Sequence, residues 1–392
     1  MKIGIDARFL THPQRGGFKT YTTNLIAALA EVDAENEYVL YLDRPPDRPE
    51  QLPAGPNFTA RLVPGSAPLV GLPWREQIRL ARQAGRDRLD VLHSPSLTAP
   101  LQLACPSVVT IHDMIWYFPQ KFSNGQPTSP ARGRTSGKRK LMEWYYQYVP
   151  KAAAQRAAAV VTVSYAAKES IVQHLGLSPE RIFVTHEAAS PIYRRVNDPV
   201  KLAQLRQEYN LASAFILAIG SADPRKNMQT LVQAYALLPA VLRERYQLAI
   251  VWTHSFLAAE LAEQVRALGI ANQVRFLERV SNEALVLLYN AASLFVFPSL
   301  YEGFGLPLLE AMACGAPVVA ANNSSIPEIV AEAAVLVEAQ DIKAMAGAIA
   351  GVLSYEALKD ALIEKGLKQA ARFSWTKCAR ETLAVYGQAL SS

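Results

Sequence analysis

The chain has 392 residues, 50% of them hydrophobic and 19% charged, with 40 Lys and Arg against 34 Asp and Glu for a formal net charge of +6. That length favours two domains over one and the composition excludes a largely disordered chain, while the modest positive balance suits an anionic substrate or an acidic membrane surface without indicating nucleic acid. Cys105, Cys314 and Cys378 are too few and too far apart for a zinc cluster or a disulfide framework, no apolar run approaches membrane-spanning length, and Met1 leads straight into a strand. A cytoplasmic protein with core-filling thiols is expected.

Lys2 to Asp6 reads as the first strand, followed by a loop holding Gly16 and Gly17 and a helix from about Phe18 to Ala30. The glycine pair lacks the full dinucleotide fingerprint, which argues against a nicotinamide cofactor. It serves either a turn that needs positive φ or a backbone contact to phosphate or acceptor. Tyr38 to Leu42 is the next strand, and Pro45 to Pro56 a proline-rich surface loop. Arg75, Arg79, Arg82 and Arg86 follow helical spacing beside Trp74 and Ile78, as on a solvated helix face.

Val91 to His93, Val108 to Ile111, Val160 to Val163 and Ile182 to Thr185 continue the strand rhythm. His112 and Asp113 end one of these strands, at the carboxyl edge where open α/β sheets bind ligands, so His112 either contacts substrate or is structural. Ser164 is placed to cap the helix that follows it. Residues 120–140 carry Arg132, Arg134, Lys138, Arg139 and Lys140 with no acidic residue: a solvated loop, or a site for an anionic acceptor or lipid headgroup.

After a polar stretch from Ser190 to Glu208 the rhythm restarts, with strands at Phe215 to Ile219, Gln247 to Val251, Val274 to Leu277, Leu294 to Phe297, Pro317 to Ala320 and Val335 to Val337. Two doubly wound α/β domains are therefore expected, with strand ends facing a ligand cleft. Following Phe215 to Ile219, the run Gly220-Ser221-Ala222-Asp223-Pro224-Arg225-Lys226-Asn227 opens a helix from Met228 to Leu238, with Asn227 as its N-cap. Two cations before a helix start oppose its dipole unless an anion joins them, so Arg225 and Lys226 point to a phosphate site.

The most informative stretch is Glu302 to Glu310. Gly303, Phe304, Gly305, Leu306 and Pro307 form a strand-to-helix turn, with Pro307 suited to the first helical position and Gly315 with Pro317 to a stop. A helix N-terminus with paired glycines fits a phosphate-bearing ligand, and the two carboxylates would take hydroxyls. Ser374 to Leu390 closes the chain as a helix with Trp375, Ala379, Leu383 and Tyr386 on one side.

These motifs resemble those of the retaining, nucleotide-sugar-dependent glycosyltransferases of family 4, which have two Rossmann-like domains in the GT-B fold. The likeness rests on EGFGLPLLE at Glu302 to Glu310, PRKN at Pro224 to Asn227 and TIHD at Thr110 to Asp113, with weaker support from TVS at Thr162 to Ser164, Gly16 with Gly17, and FSW from Phe373. It implies an acceptor-side domain over residues 1–190, a nucleotide-sugar domain over 191–373, and a helix over 374–392 crossing back onto the first. It also implies that Arg225 and Lys226 hold the donor diphosphate, Glu310 accepts from ribose hydroxyls and Glu302 faces the donor sugar. The backbone N–H groups of Gly303, Phe304, Gly305 and Leu306 would contact sugar and phosphate. His112 would lie beside sugar and acceptor, and Gly16 or Gly17 near phosphate or acceptor.

Where related mannosyl- and glucosyltransferases often read Gly-Ile-Gly-Arg-Tyr, this chain has Gly16-Gly17-Phe18-Lys19-Thr20-Tyr21, which leaves the acceptor open. No Asp-x-Asp pair occurs, so protein cations rather than a metal are expected to steady the leaving diphosphate, and no cofactor is expected. By resemblance the donor is UDP-glucose or GDP-mannose and the acceptor a glycan, polysaccharide or lipid-linked precursor, met in the cytoplasm or at the inner membrane face. A two-domain sugar phosphorylase or sugar-nucleotide epimerase is the nearest enzymatic rival, and a catalytically silent nucleotide-sugar-binding protein the rival of another class.

Overall fold

In the computed structural model, residues 1–12, 16–48, 50, 52–65, 71–117, 137–252 and 259–391 are described, with only the backbone given for 137–141. Arg132 and Arg134 of the basic stretch 120–140 lie outside the described residues, as do the side chains of Lys138, Arg139 and Lys140. The described residues divide into two compact units: the first takes those up to 117, those over 137–187 and those from Ser374 onward, and the second those within Ala188–Phe373.

Among the described residues the first unit holds seven strands: β1 (Lys2–Ile5), β2 (Glu37–Leu42), β3 (Phe58–Leu62), β4 (Val91–Ser94), β5 (Ser107–Ile111), β6 (Ala159–Thr162) and β7 (Ile182–Val184). They form one sheet, parallel throughout, in the order β3-β2-β1-β4-β5-β6-β7. The second unit holds β8 (Phe215–Gly220), β9 (Gln247–Trp252), β10 (Val274–Glu278), β11 (Leu294–Phe297), β12 (Val318–Ala321) and β13 (Ala334–Val337), also parallel, in the order β10-β9-β8-β11-β12-β13.

Continuous apolar runs are what a parallel sheet covered on both faces requires. In β8 the alternation of side chains splits the run: Ile216 and Ala218 enter one core with Met228, Leu231 and Ile349, whereas Phe215 and Leu217 enter the other with Leu288, Leu308 and Met312. In each sheet the chain winds outward from a central strand and returns on its other side. The carboxyl ends of β1 and β4, and of β8 and β11, therefore flank the two switch points where such sheets bind ligands.

Strand β3 has no counterpart in the sequence rhythm. It pairs only with β2 at the sheet edge and is exposed over Thr59–Leu62, so FTARL lacks the buried apolar run that marks its neighbours. A stacked contact between Tyr38 and Phe58, with centroids 4.4 Å apart, anchors its start.

The basic helical stripe also divides. Arg79, Arg82 and Arg86 are exposed as expected, but Arg75 is only 1% exposed and grips Asp6 through Nη1 (3.1 Å) and Nη2 (2.8 Å). Beside it, Arg8 donates to Glu76 at 2.6 Å and to Ser96 at 2.8 Å. Two cations and two carboxylates thus balance under β1, the arrangement that makes buried charge tolerable.

The C-terminal helix runs Trp375–Ser391, begins with Ser374 Oγ accepting from Lys377 N, and packs on the helix Gly17–Val32 and on β4, β5 and β6. Its buried side is Trp375, Cys378, Ala379, Thr382, Val385 and Tyr386, while Leu383, expected on that side, is only partly covered. Burial pushes the Cys314 and Cys378 thiols up to about 12, as suits inert core cysteines, and Cys105 is half-buried. No described helix is long and apolar enough to cross a membrane.

Candidate functional site

In the second unit the loop after β8 is built for close packing and then for presentation. A side chain at Gly220 would collide with Met228, whose Sδ lies 2.8 Å from a Cβ placed there, so this glycine lets the helix Met228–Ala236 sit directly on the strand. Asp223 Oδ1 accepts from Arg225 N at 3.0 Å and starts the short turn Pro224–Lys226. Asn227 stands at the N-cap position but makes no capping bond. It adopts left-handed φ 53°, and its amide donates to the carbonyls of Pro298 (3.0 Å) and Ala339 (2.7 Å), while Oδ1 accepts from the Thr230 hydroxyl (2.7 Å). The expected cap is thus a tie to other loops. Leu300 N donates to Arg225 O at 2.7 Å, fastening the loops after β8 and β11 together.

The loop after β11 reaches the helix Leu306–Ala313 through Gly305, whose φ of 111° favours glycine and whose carbonyl accepts from Leu308 N. Pro307 is its second residue, and Gly315, with φ 80°, follows its end. Gly305 at the N-cap has no side chain with which to cap this helix start. Three residues not singled out in the sequence hold the loop. Ser324 Oγ accepts from Glu302 N (3.0 Å), Ser325 Oγ donates to the carbonyls of Glu302 (3.1 Å) and Phe304 (2.8 Å), and Asn323 donates to Ser299 O (3.1 Å). The polar run Asn322-Asn323-Ser324-Ser325 directly after β12 was the signal available. Phe304 is buried against Phe373.

Both expected cations are at this edge, each already engaged. Arg225 donates through Nε (2.9 Å) and Nη2 (2.6 Å) to Asp223 Oδ2, and Lys226 Nζ to Glu302 Oε1 at 2.6 Å, over the Phe297 ring at 5.3 Å. Burial works against the Asp223 charge, but the Arg225 hydrogen bond and charge outweigh it and hold the carboxyl below its ordinary range. Glu302 and Glu310 do not share one helix start. Glu302 precedes the helix, whereas Glu310 is its fifth residue, is 8% exposed, and accepts from Tyr289 OH at 3.1 Å. Burial, and after it the Glu310 charge, keep the Tyr289 phenol protonated by raising its pKa well above the usual value.

In the first unit, Gly16 and Gly17 lead into the helix Gly17–Val32. Gly16 has φ 160°, an extended backbone, and neither glycine is left-handed, so the expectation of a positive-φ turn fails here. What they leave is room: a Cβ at either would meet nothing within 4 Å. His112 sits near this helix, its ring edge-on to Tyr21 (4.6 Å) and Phe18 (5.1 Å), with Nδ1 3.0 Å from Glu187 Oε1. Asp113 Oδ1 instead accepts from Ile115 N, a turn contact. Ser164 caps as expected, accepting from Ala167 N at 3.0 Å.

Behind His112 lies a buried polar chain that sequence reasoning missed. His93 Nδ1 lies 2.7 Å from Tyr386 OH and Nε2 lies 2.8 Å from Thr110 Oγ1, which is 3.3 Å from Tyr21 OH. It ties the C-terminal helix to β4, β5 and the helix after the glycine pair.

Comparison with known proteins agrees with these two units. Residues 204–369 match the family described as Glycosyl transferases group 1, and residues 15–189 match Glycosyltransferase Family 4. The chain is 37% identical over 228 residues to O-antigen chain mannosyltransferase B of Escherichia coli, covering 58% of this chain and 60% of that protein, less than two thirds of its length. It is 30% identical over 317 residues to the MMP alpha-(1->4)-mannosyltransferase of Mycolicibacterium hassiacum, covering 78% and 72%. In fold it is similar to sucrose-phosphate synthase from Thermosynechococcus elongatus, with a TM-score of 0.71 at 23% identity over 99% and 98% of the two chains. With both family descriptions matched and that identity spanning most of two chains, the chain belongs to glycosyltransferase family 4 and has the GT-B fold.

Proposed function

We propose that the protein transfers a hexose, with retention, from a nucleotide sugar to a glycan, polysaccharide or lipid-linked acceptor, and that the donor is GDP-mannose rather than UDP-glucose. The observation that carries the reading is the hydrogen-bonded pair of loops at the β8/β11 switch point, which presents Arg225, Lys226 and Glu302 beside an uncapped helix start. Two relatives named as mannosyltransferases support mannose as the sugar.

Glycosyl transfer passes through an oxocarbenium-like state while negative charge grows on the departing diphosphate. Arg225 and Lys226 would neutralise that charge, with the amides of Gly303, Phe304, Gly305 and Leu306 contacting sugar and phosphate. Glu302 would take sugar hydroxyls and Glu310 those of the ribose. In the first unit His112 would attend the sugar and acceptor, with the open space at Gly16 and Gly17 admitting phosphate or acceptor. These cations would do the work of a metal, and no cofactor beyond the nucleotide sugar would be needed. A lipid-linked acceptor would place the enzyme in the cytoplasm, peripherally at the inner membrane face.

Incubating the protein with GDP-mannose and UDP-glucose separately, with and without candidate acceptors, and following nucleoside diphosphate release tests this. Release from GDP-mannose is expected, unchanged by EDTA, slowed about 100- to 1,000-fold in Arg225→Ala and in Lys226→Ala, and with the product anomer matching the donor. Turnover unaffected by both substitutions would sink the mechanism. Binding without turnover would favour the silent binder, and interconversion of the sugar without an acceptor would favour an epimerase.

A further inference from the structure

We propose that Asp223 is a built-in competitor for the donor's diphosphate: its carboxylate holds the edge of Arg225 that phosphate oxygens would take, and donor binding exchanges one anion for the other. This rests on the donor-site reading above and adds a residue that sets how tightly the donor is held and how readily the nucleoside diphosphate leaves.

The geometry is that of an arginine already bound to an oxyanion. Nε and Nη2 converge on Asp223 Oδ2 at 2.9 and 2.6 Å, the guanidinium edge that also suits phosphate. The two carboxylates at the site differ in their freedom to leave. The Asp223 side chain is 34% exposed, so water is at hand when it lets go, whereas that of Glu302, paired with Lys226, is 13% exposed. Asp223 also does not have to abandon its place, because Oδ1 caps the turn through Arg225 N while Oδ2 alone makes the side-chain pair. The carboxylate can turn away with the loop intact.

Two effects follow. A donor diphosphate must displace an intramolecular anion, which weakens binding relative to a bare guanidinium. When the nucleoside diphosphate departs, the carboxylate returns to the largely covered Arg225 side chain, 18% exposed, and this replacement of one anion by another aids release.

Calorimetric titration of the full chain with inorganic pyrophosphate and with GDP tests the exchange in wild type, Asp223→Asn, Asp223→Glu and the double variant Asp223→Asn with Arg225→Ala. Asn keeps an oxygen for the turn and removes the charge, and thermal melting checks that the fold is retained. Asp223→Asn is expected to bind both probes about 2- to 5-fold more tightly at low salt, the worth of a partly exposed ion pair. That gain should shrink in about 0.5 M salt and be lost without Arg225. Asp223→Glu, which keeps the charge, is expected to show no gain. Unchanged or weaker binding by a folded Asp223→Asn overturns the proposal, since Asp223 would then orient Arg225 rather than compete for it. If wild type binds neither probe, the donor-site reading itself fails and the inference with it. If wild type binds in an Arg225-dependent way and only the gain is missing, the inference alone fails.

Discussion

Lys226 and Glu302 stand 76 positions apart in sequence and meet in a 2.6 Å ion pair, because the loops that carry them follow β8 and β11, neighbours in the sheet. Chain order separates these strands, and strand order reunites them. The pair is largely covered, with side chains 20% and 13% exposed, so each charge is costly to leave alone.

Substituting the two members of this pair should therefore give different signatures. On the proposed mechanism Lys226→Ala removes a cation from the departing diphosphate, and kcat/KM for the donor should fall about 100- to 1,000-fold. Glu302→Gln is expected to raise KM for the nucleotide sugar while leaving the affinity for a nucleoside diphosphate without sugar equal or better, since Lys226 is then unopposed. Steady-state kinetics beside calorimetry reads both. Equal losses for sugar-bearing and sugar-free ligands in Glu302→Gln would show that the carboxylate does not attend the sugar.

Glu310 depends on a residue outside the sequence motif. Tyr289 OH donates to its Oε2 from within the core, so Tyr289→Phe removes a hydrogen bond while keeping the ring packed against Phe295. Stability should drop by about 1 kcal/mol, and KM for the donor should rise more than kcat falls. A fall in kcat alone would place Glu310 in the chemistry and not in ribose binding.

The parallel sheets were legible because burial on both faces writes itself as apolar runs, and among the described strands only β3, exposed at an edge and following prolines, escaped. The strand-to-helix turns that carry Arg225, Lys226 and Glu302 were legible too. What they touch was not. Local propensity marks Asn227 as a cap, yet tertiary contacts to Pro298 and Ala339 place it in a left-handed conformation with its amide bound elsewhere. Ser324 and Ser325 hold the glycine loop from another strand end, and helical spacing alone cannot distinguish Arg75 from Arg79.

That last distinction is measurable. Arg79 is exposed and donates to Pro64 O, so Arg79→Ala should change stability by no more than about 0.5 kcal/mol. Arg75→Ala leaves Asp6 buried with Arg8 as its remaining ion partner and vacates two backbone carbonyls, Val63 O and Tyr41 O. A loss of about 3 kcal/mol or more is expected by denaturant unfolding. Similar small effects for both would mean that the network under β1 contributes little.

His93 gives the first unit an acid sensitivity whose sign can be worked out. Burial, and then the nearby His112, lower its pKa to about 3, against about 6.5 in an unfolded chain. Above the unfolded value both states are neutral there and the full stability is present. As pH falls below about 6.5 the unfolded chain takes up a proton that the folded chain refuses, and stability declines by about 1.4 kcal/mol per pH unit toward the folded pKa. Between pH 6.5 and 5 this amounts to about 2 kcal/mol, before most carboxylates titrate. Because His93 Nδ1 is bound to Tyr386 OH, the loss should be felt first where the C-terminal helix docks, as faster amide exchange along Trp375–Ser391 at mildly acidic pH. His93→Gln cannot be protonated and should flatten the wild-type decline across that window, at the expense of lower stability near neutrality. Parallel pH profiles for wild type and His93→Gln would show instead that the decline arises elsewhere.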